Sequence, residues 1–295
     1  MHILMTGGTG FIGHRLAPML IAKGYQVTLW THQLKPKLPQ GVTQWVHRLE
    51  DLPEASYDAV INLAGAGIAD QRWSPERKAL LISSRVETTQ RLVEWIKHQD
   101  IPPRVLISAS AVGYYGEQGE QLIDEDTPPV DGFTHQLCAQ WEAAAQQAAS
   151  TSTRVCLVRT GVVLGQGGGS MKKMLPAFRF GLGGPLGSGQ HWFPWIHLED
   201  MARIYLWLLE QPQAQGVYNA AAPVPVRNVD FTRALGKALK RPAWIPMPEK
   251  VLHLLFGEMA ELLLVSAKMQ PQRLQKAGFD FRYPQLPEAL QEICD

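Results

Sequence analysis

Met5-Thr6-Gly7-Gly8-Thr9-Gly10-Phe11-Ile12-Gly13 follows directly on the apolar pair Ile3-Leu4. Glycines fall at 7, 10 and 13, and a helix-like pattern of Phe11, Ile12, Leu16, Met19 and Leu20 comes next. Strand, glycine turn and helix in that order mark a place where a dinucleotide pyrophosphate can be held. One glycine makes the tight turn, one lets backbone N–H groups reach the phosphates, and one lets helix and strand pack closely. The helix N-terminus adds the positive end of its dipole. Gly7, Thr9, Gly10, Phe11, Ile12 and Gly13 are therefore the expected phosphate-side contacts.

Working outward, short apolar runs alternate with helical patterns. Strands are expected at 2–6, 26–30, 42–46, 59–63, 104–108 and 154–159, with helices near 12–23, 75–98 and 134–149. Ser74-Pro75 is a good helix start, with Ser as N-cap and Pro in the first turn. Such alternation implies an α/β fold: a Rossmann-type doubly wound parallel sheet covered on both faces. After Thr160 the texture changes to glycine-dense loops, an aromatic Trp192-Phe193-Pro194-Trp195 run and proline-rich short helices. The expected division is a nucleotide-binding domain over 1–165 and 195–222, and a smaller C-terminal substrate lobe over 166–194 and 223–295.

The 295 residues can bury one large core, and 19% charged residues with a net charge of +1 show no broad basic field for nucleic acid. The same balance gives no reason to expect a membrane partner. The three cysteines, 138, 156 and 294, form no paired motif, which fits a reducing, cytoplasmic setting. The chain starts straight into a strand, unlike a signal peptide. His191 and His197 lack metal-ligand spacing, so no metal is expected.

The end of the second strand decides which dinucleotide fits. NAD-selective sheets place Asp or Glu there to hold the ribose 2′-OH. Here Leu29-Trp30-Thr31-His32 stands instead, and no acid occurs before Glu50. Thr31 and His32 suit a 2′-phosphate, so NADP(H) is favoured over NAD(H). The basic residues of this stretch could equally form a solvated face.

Three further groups are candidates. Leu63, Ala64 and Gly65 end the fourth strand, where small residues let backbone approach a ribose. Ser108 and Ser110 end the fifth, with Tyr114 and Tyr115 just beyond. Ser108 would lie at the cofactor, and Ser110 could hold a reacting oxygen that either tyrosine serves as acid or base. These hydroxyls could instead satisfy a turn. Arg85 could meet a phosphate or a local acid.

Together these motifs resemble the extended (atypical) short-chain dehydrogenase/reductase family. Thr6 to Gly13 matches its TGxxGFIG element, Asn62-Leu63-Ala64-Gly65 its NxAG element, and Trp195 to Asp200 its late His-x-acid-Asp segment. More narrowly, Arg159 to Gly165, Gly181 to Gly189 and Gly257 to Leu264 are similar to the nucleotide-sugar-epimerase-like, cell-division-inhibitor-like group, which carries a C-terminal segment of unassigned function. The resemblance implies an oxidoreductase or epimerase acting on a small carbonyl or nucleotide-sugar substrate, with a homodimer left open. It also implies a Tyr-x-x-x-Lys pair on one helix face. None of the tyrosines at 25, 57, 114, 115, 205, 218 and 283 has Lys four residues on, and the aligned positions hold Thr134 and Cys138. The alternative is therefore a non-catalytic NADP(H)-sensing regulatory protein.

Overall fold

A computed structural model describes residues 1–150 and 152–295. Its strands are β1 (His2–Thr6), β2 (Gln26–Trp30), β3 (Gln44–Val46), β4 (Ala59–Asn62), β5 (Val105–Ala111), β6 (Leu122–Ile123) and β7 (Arg154–Thr160). Then come β8 (Val162–Leu164), β9 (Trp192–Phe193), β10 (Trp195–His197), β11 (Gly216–Ala220), β12 (Val226–Arg227) and β13 (Lys268–Met269). The first helices are α1 (Phe11–Ala22), α2 (Pro75–Ser83), α3 (Val86–Lys97), α4 (Phe133–Gln146), α5 (Gly169–Arg179) and α6 (Leu198–Glu210). They are followed by α7 (Asn228–Leu239), α8 (Glu249–Phe256), α9 (Ala260–Leu264), α10 (Gln272–Lys276) and α11 (Leu286–Cys294).

β1 and β4 carry unbroken buried runs because both faces of their sheet are covered. Seven strands pair in the order β11-β7-β5-β4-β1-β2-β3, and every pairing is parallel. Strand order reverses between β1 and β4, which is where an open α/β sheet leaves a crevice for a ligand. One face is filled by Leu16 and Leu20 of α1 with Met201, Tyr205 and Leu208 of α6. The other is filled by Leu92, Val93 and Ile96 of α3 with Ala145 of α4. A separate cluster joins Phe178, Trp195, Phe231, Leu235 and Leu290.

The parallel, helix-covered sheet follows the sequence expectation, with local differences. The helix expected over 75–98 breaks at Ser84-Arg85, giving α2 and α3. β5 runs on to Ala111, so Ser110 lies inside the strand rather than beyond it. Leu274 and Phe279 pack into the α1/α6 core, so part of the 223–295 segment rests on the sheet itself. Asp200 fixes that segment: buried, it accepts the backbone N–H groups of Arg282 and Tyr283, both at 2.8 Å.

Candidate functional site

The turn between β1 and α1 has the shape that the glycines require. Gly7 has φ +65°, and a Cβ there would stand 2.3 Å from the carbonyl oxygen of Leu63. A Cβ on Gly13 would stand 2.4 Å from the carbonyl oxygen of Gly8. Gly10 caps α1 without any side-chain hydrogen bond, and the first turn holds no acid. Its N–H groups and positive dipole end thus face the crevice without a competing carboxylate, which suits a phosphate. Thr9 is half-buried beside them. Phe11 and Ile12 begin the helix, and the Phe11 ring lies beneath Gly165, Gly168 and Gly169, where added Cβ atoms would meet it at 2.3 to 3.1 Å.

Asn62 ties the strand ends together. Its Oδ1 accepts from Thr6 Oγ1 (2.7 Å) and from the Ala64 backbone N–H (3.2 Å). Its Nδ2 donates to Thr89 Oγ1 (2.8 Å) and Ser108 Oγ (3.1 Å). The sequence points to its neighbours first, although a buried amide at a strand end is itself a signal, because it must be fully hydrogen-bonded. The same bonds correct the reading of Ser108: its hydroxyl is wholly buried in this network, not turned to a ligand. Leu63 and Ala64 stand beside Gly7, and Gly65 next to them is exposed.

Among the described residues Arg85 is paired with backbone carbonyls and not with an acid. Its Nη1 and Nη2 donate to the carbonyls of Leu81 (3.1 Å) and Ala66 (2.9 Å), and its guanidinium lies over Trp141. It braces the 64–66 loop from beneath, and burial pushes its affinity for a proton down. At the end of β2, Thr31 is buried and accepts from the Gln33 N–H (3.3 Å), while His32 is exposed. Of these two, only His32 presents its side chain freely.

The expected catalytic group separates into one accessible tyrosine and two committed residues. Ser110 Oγ donates to Glu142 Oε1 at 2.6 Å and is buried. Tyr115 is fully buried; its hydroxyl donates to Asn219 Oδ1 (2.7 Å) and accepts from Arg159 Nη1 (3.0 Å), and burial pushes its phenol up to about 12. Both hydroxyls are engaged by protein partners here, where the sequence expectation put them at a substrate. Tyr114 is half-buried, its ring 3.3 Å from the Arg159 guanidinium. His135 fixes it from the other side, with Nδ1 2.7 Å from the Tyr114 carbonyl oxygen. Thr134 and Cys138 sit opposite Gly113, whose added Cβ would be 3.0 Å from Thr134 Cβ and 3.7 Å from Cys138 Sγ. Cys138 is buried, and burial pushes its thiol up to about 12, so it is no thiolate at neutral pH.

Two ion pairs tie the 70–78 stretch to later parts of the chain. Lys173 of α5 meets Asp70 (2.8 Å), and Lys78 of α2 meets Glu258. Trp73 and Phe133 pack edge-on nearby, at 5.0 Å. Among the described residues no group of three or more His, Cys, Asp or Glu could hold a metal ion.

Residues 3–221 match the NAD dependent epimerase/dehydratase family. The chain belongs to that family. Residues 247–293 of this epimerase-family chain also match a domain of unknown function, DUF1731. The epimerase family protein SDR39U1 of Bos taurus is 43% identical over 99% of both chains. A crystal structure of human epimerase family protein SDR39U1 (isoform 2) with NADPH superposes with a TM-score of 0.93 at 40% identity, covering 100% of this epimerase-family chain and 99% of the human one. The UDP-glucose 4-epimerase of Thermus thermophilus, in complex with NAD, shares the fold at TM-score 0.81 and 20% identity, covering 100% and 98% of the two chains.

Proposed function

We propose that this protein binds NADP(H) at the Gly7–Gly13 turn and uses it in an oxidoreductase or epimerase reaction on a small carbonyl or nucleotide-sugar substrate. One observation carries the cofactor: a protein 40% identical along the whole chain was crystallised with NADPH. The acid-free stretch before Glu50 and the uncapped, acid-free start of α1 support it. Residues 1–165 with 195–222 would hold the cofactor, and 166–194 with 223–295 would shape the substrate side. Bound NADPH supplies a hydride to an electrophilic carbon.

In this reading Gly7, Gly10 and Gly13 bring backbone N–H groups to the diphosphate, and His32 takes the 2′-phosphate. Leu63, Ala64 and Gly65 admit the ribose. Tyr114 holds the substrate oxygen and passes it a proton, its ring kept in place by Arg159 below and its backbone by His135. Arg85, Ser108, Ser110 and Tyr115 keep that surface in shape without touching a ligand.

The second reading, an NADP(H)-sensing protein without turnover, is favoured by one observation. Thr134 and buried Cys138 stand where the family resemblance implies the acid–base pair. The two separate in a single experiment on purified protein. The co-purifying dinucleotide is identified, loss of the reduced-nicotinamide absorbance is followed over a carbonyl panel, and interconversion of epimers, which leaves that absorbance unchanged, is followed over a nucleotide-sugar panel. NADPH binding with no turnover on either panel leaves the sensor reading standing; a preference for NADH removes the cofactor assignment.

A further inference from the structure

Residues 183–187 and 245–247 pair along a short ribbon between α5 and α8. The Ile245 N–H donates to the Gly183 carbonyl (3.3 Å), Met247 N–H to Pro185 (2.9 Å) and Gly187 N–H to Met247 (2.9 Å). Arg241 Nε reaches the Arg179 carbonyl at 3.1 Å, closing the ribbon at its other end. α8 continues directly from this ribbon.

Large apolar side chains stand out around this ribbon. Phe180 is 81% exposed, Leu254 75%, Trp244 74% and Leu182 64%. Ile245 and Leu255 join them. On α8 the outward stripe is Val251, Leu254 and Leu255, at i, i+3 and i+4, whereas Leu252 alone is buried. An amphipathic helix normally turns that stripe to the core; here it turns to solvent. Contiguous exposed apolar surface of this kind marks an interaction face.

Charge identifies the partner. Residues 169–187 and 241–256 carry five lysines and arginines, three in the first stretch and two in the second, against a single acid, Glu249, and Lys240 adjoins the second stretch. Lys173 is occupied by Asp70, but Arg179, Lys240, Arg241 and Lys250 are exposed around the apolar residues. The whole-chain charge of +1 averages this asymmetry away. Protruding aromatic and aliphatic side chains with a cationic rim suit an anionic lipid surface: the rings enter the headgroup boundary and the cations meet the lipid phosphates. A second copy of the chain fits less well, because a two-fold contact sets each patch against itself and its cations against cations.

We infer that the α8 arm and the 180–187 ribbon form a peripheral docking surface for an anionic lipid bilayer. Just past α8, the acid Glu258 meets Lys78 of α2, which ties the end of the arm to that helix.

The test is flotation of the full chain with phosphatidylcholine vesicles, with and without 30% phosphatidylglycerol, at low and at high salt. The chain is expected to float only with anionic vesicles and to be released by salt. Arg179→Ala combined with Arg241→Ala should weaken partitioning at least about tenfold, since each surface cation contributes about fivefold. Phe180→Ser with Leu254→Ser should weaken it similarly, with the melting temperature unchanged because both side chains are exposed. No flotation, equal flotation with neutral vesicles, or a concentration-dependent dimer that Phe180→Ser dissociates without vesicle binding would each overturn the inference.

Discussion

Arg159 grips Glu142 with both arms of its guanidinium, Nε to Oε1 and Nη2 to Oε2, each at 2.9 Å, and both side chains are buried. The pair lies beneath Tyr114 and holds Ser110 and Tyr115 in place. Removing one member strands the other charge away from water. Glu142→Ala should therefore lower unfolding free energy by about 3–5 kcal/mol in urea titrations. Replacing both with well-packed apolar residues should be milder than either single change, and a double variant worse than Glu142→Ala would overturn this account.

Gly7→Ala should abolish NADPH binding, followed by quenching of protein fluorescence. Its positive φ and the 2.3 Å approach to the Leu63 carbonyl leave no room for a methyl group. Gly10→Ala meets only the Gly7 carbonyl, at 3.1 Å. It should weaken binding far less, so equal losses at the two positions would contradict the geometry.

His32→Asp should reduce NADPH affinity at least about tenfold and leave NADH affinity nearly unchanged or improved. A carboxylate at this strand end repels a 2′-phosphate and accepts from a 2′-OH. Isothermal titration with both dinucleotides reads the change directly.

The two adjacent tyrosines should respond differently to loss of the hydroxyl. Tyr114→Phe should eliminate turnover while NADPH affinity and melting temperature hold. Tyr115→Phe should keep turnover but lose about 1–2 kcal/mol of stability, because the Arg159 and Asn219 contacts to its buried hydroxyl disappear. The reverse pattern would move the acid–base role to Tyr115.

Acid should loosen the attachment of the C-terminal segment. Burial pushes the His197 imidazole below its ordinary range, against the opposing pull of Glu292, which it meets at 3.0 Å. A histidine with a lowered value in the folded state stabilises the fold above pH of about 6.5, and that contribution is lost as pH falls below it. His2 and His191 are shifted the same way, also chiefly by burial. His197→Asn can still cap α6 at the Glu199 N–H, so it should flatten the fall of melting temperature between pH 7 and 5 without unfolding the chain. An unchanged slope would rule His197 out.

The sheet was legible because its determinants are local. Each strand is a short apolar run, and Gly7, Gly10 and Gly13 announce the turn by chain position alone. The fate of the hydroxyls was not legible. Ser108, Ser110 and Tyr115 look like site residues because they end a strand, but their partners Asn62, Glu142, Arg159 and Asn219 lie 32 to 104 residues away along the chain. Whether a hydroxyl is free depends on those distant groups, and no periodicity reports them. Arg85 misled for a similar reason. Its partners are main-chain carbonyls, which every residue has and no sequence pattern distinguishes. The basic, apolar surface around α8 leaves no mark in the sequence because its two halves are far apart in the chain and meet only in the folded ribbon.

The Phe11 ring beneath Gly165, Gly168 and Gly169 belongs both to the first turn of α1 and to the floor of the loop leading into α5. Neither side can shift without the other adjusting. Turnover that depends on that loop should accordingly follow a compulsory sequence, with dinucleotide arriving first and leaving last. Product inhibition should then be competitive toward the dinucleotide and mixed toward the carbonyl. A bulkier or smaller side chain at position 11 should loosen that order before it weakens either affinity.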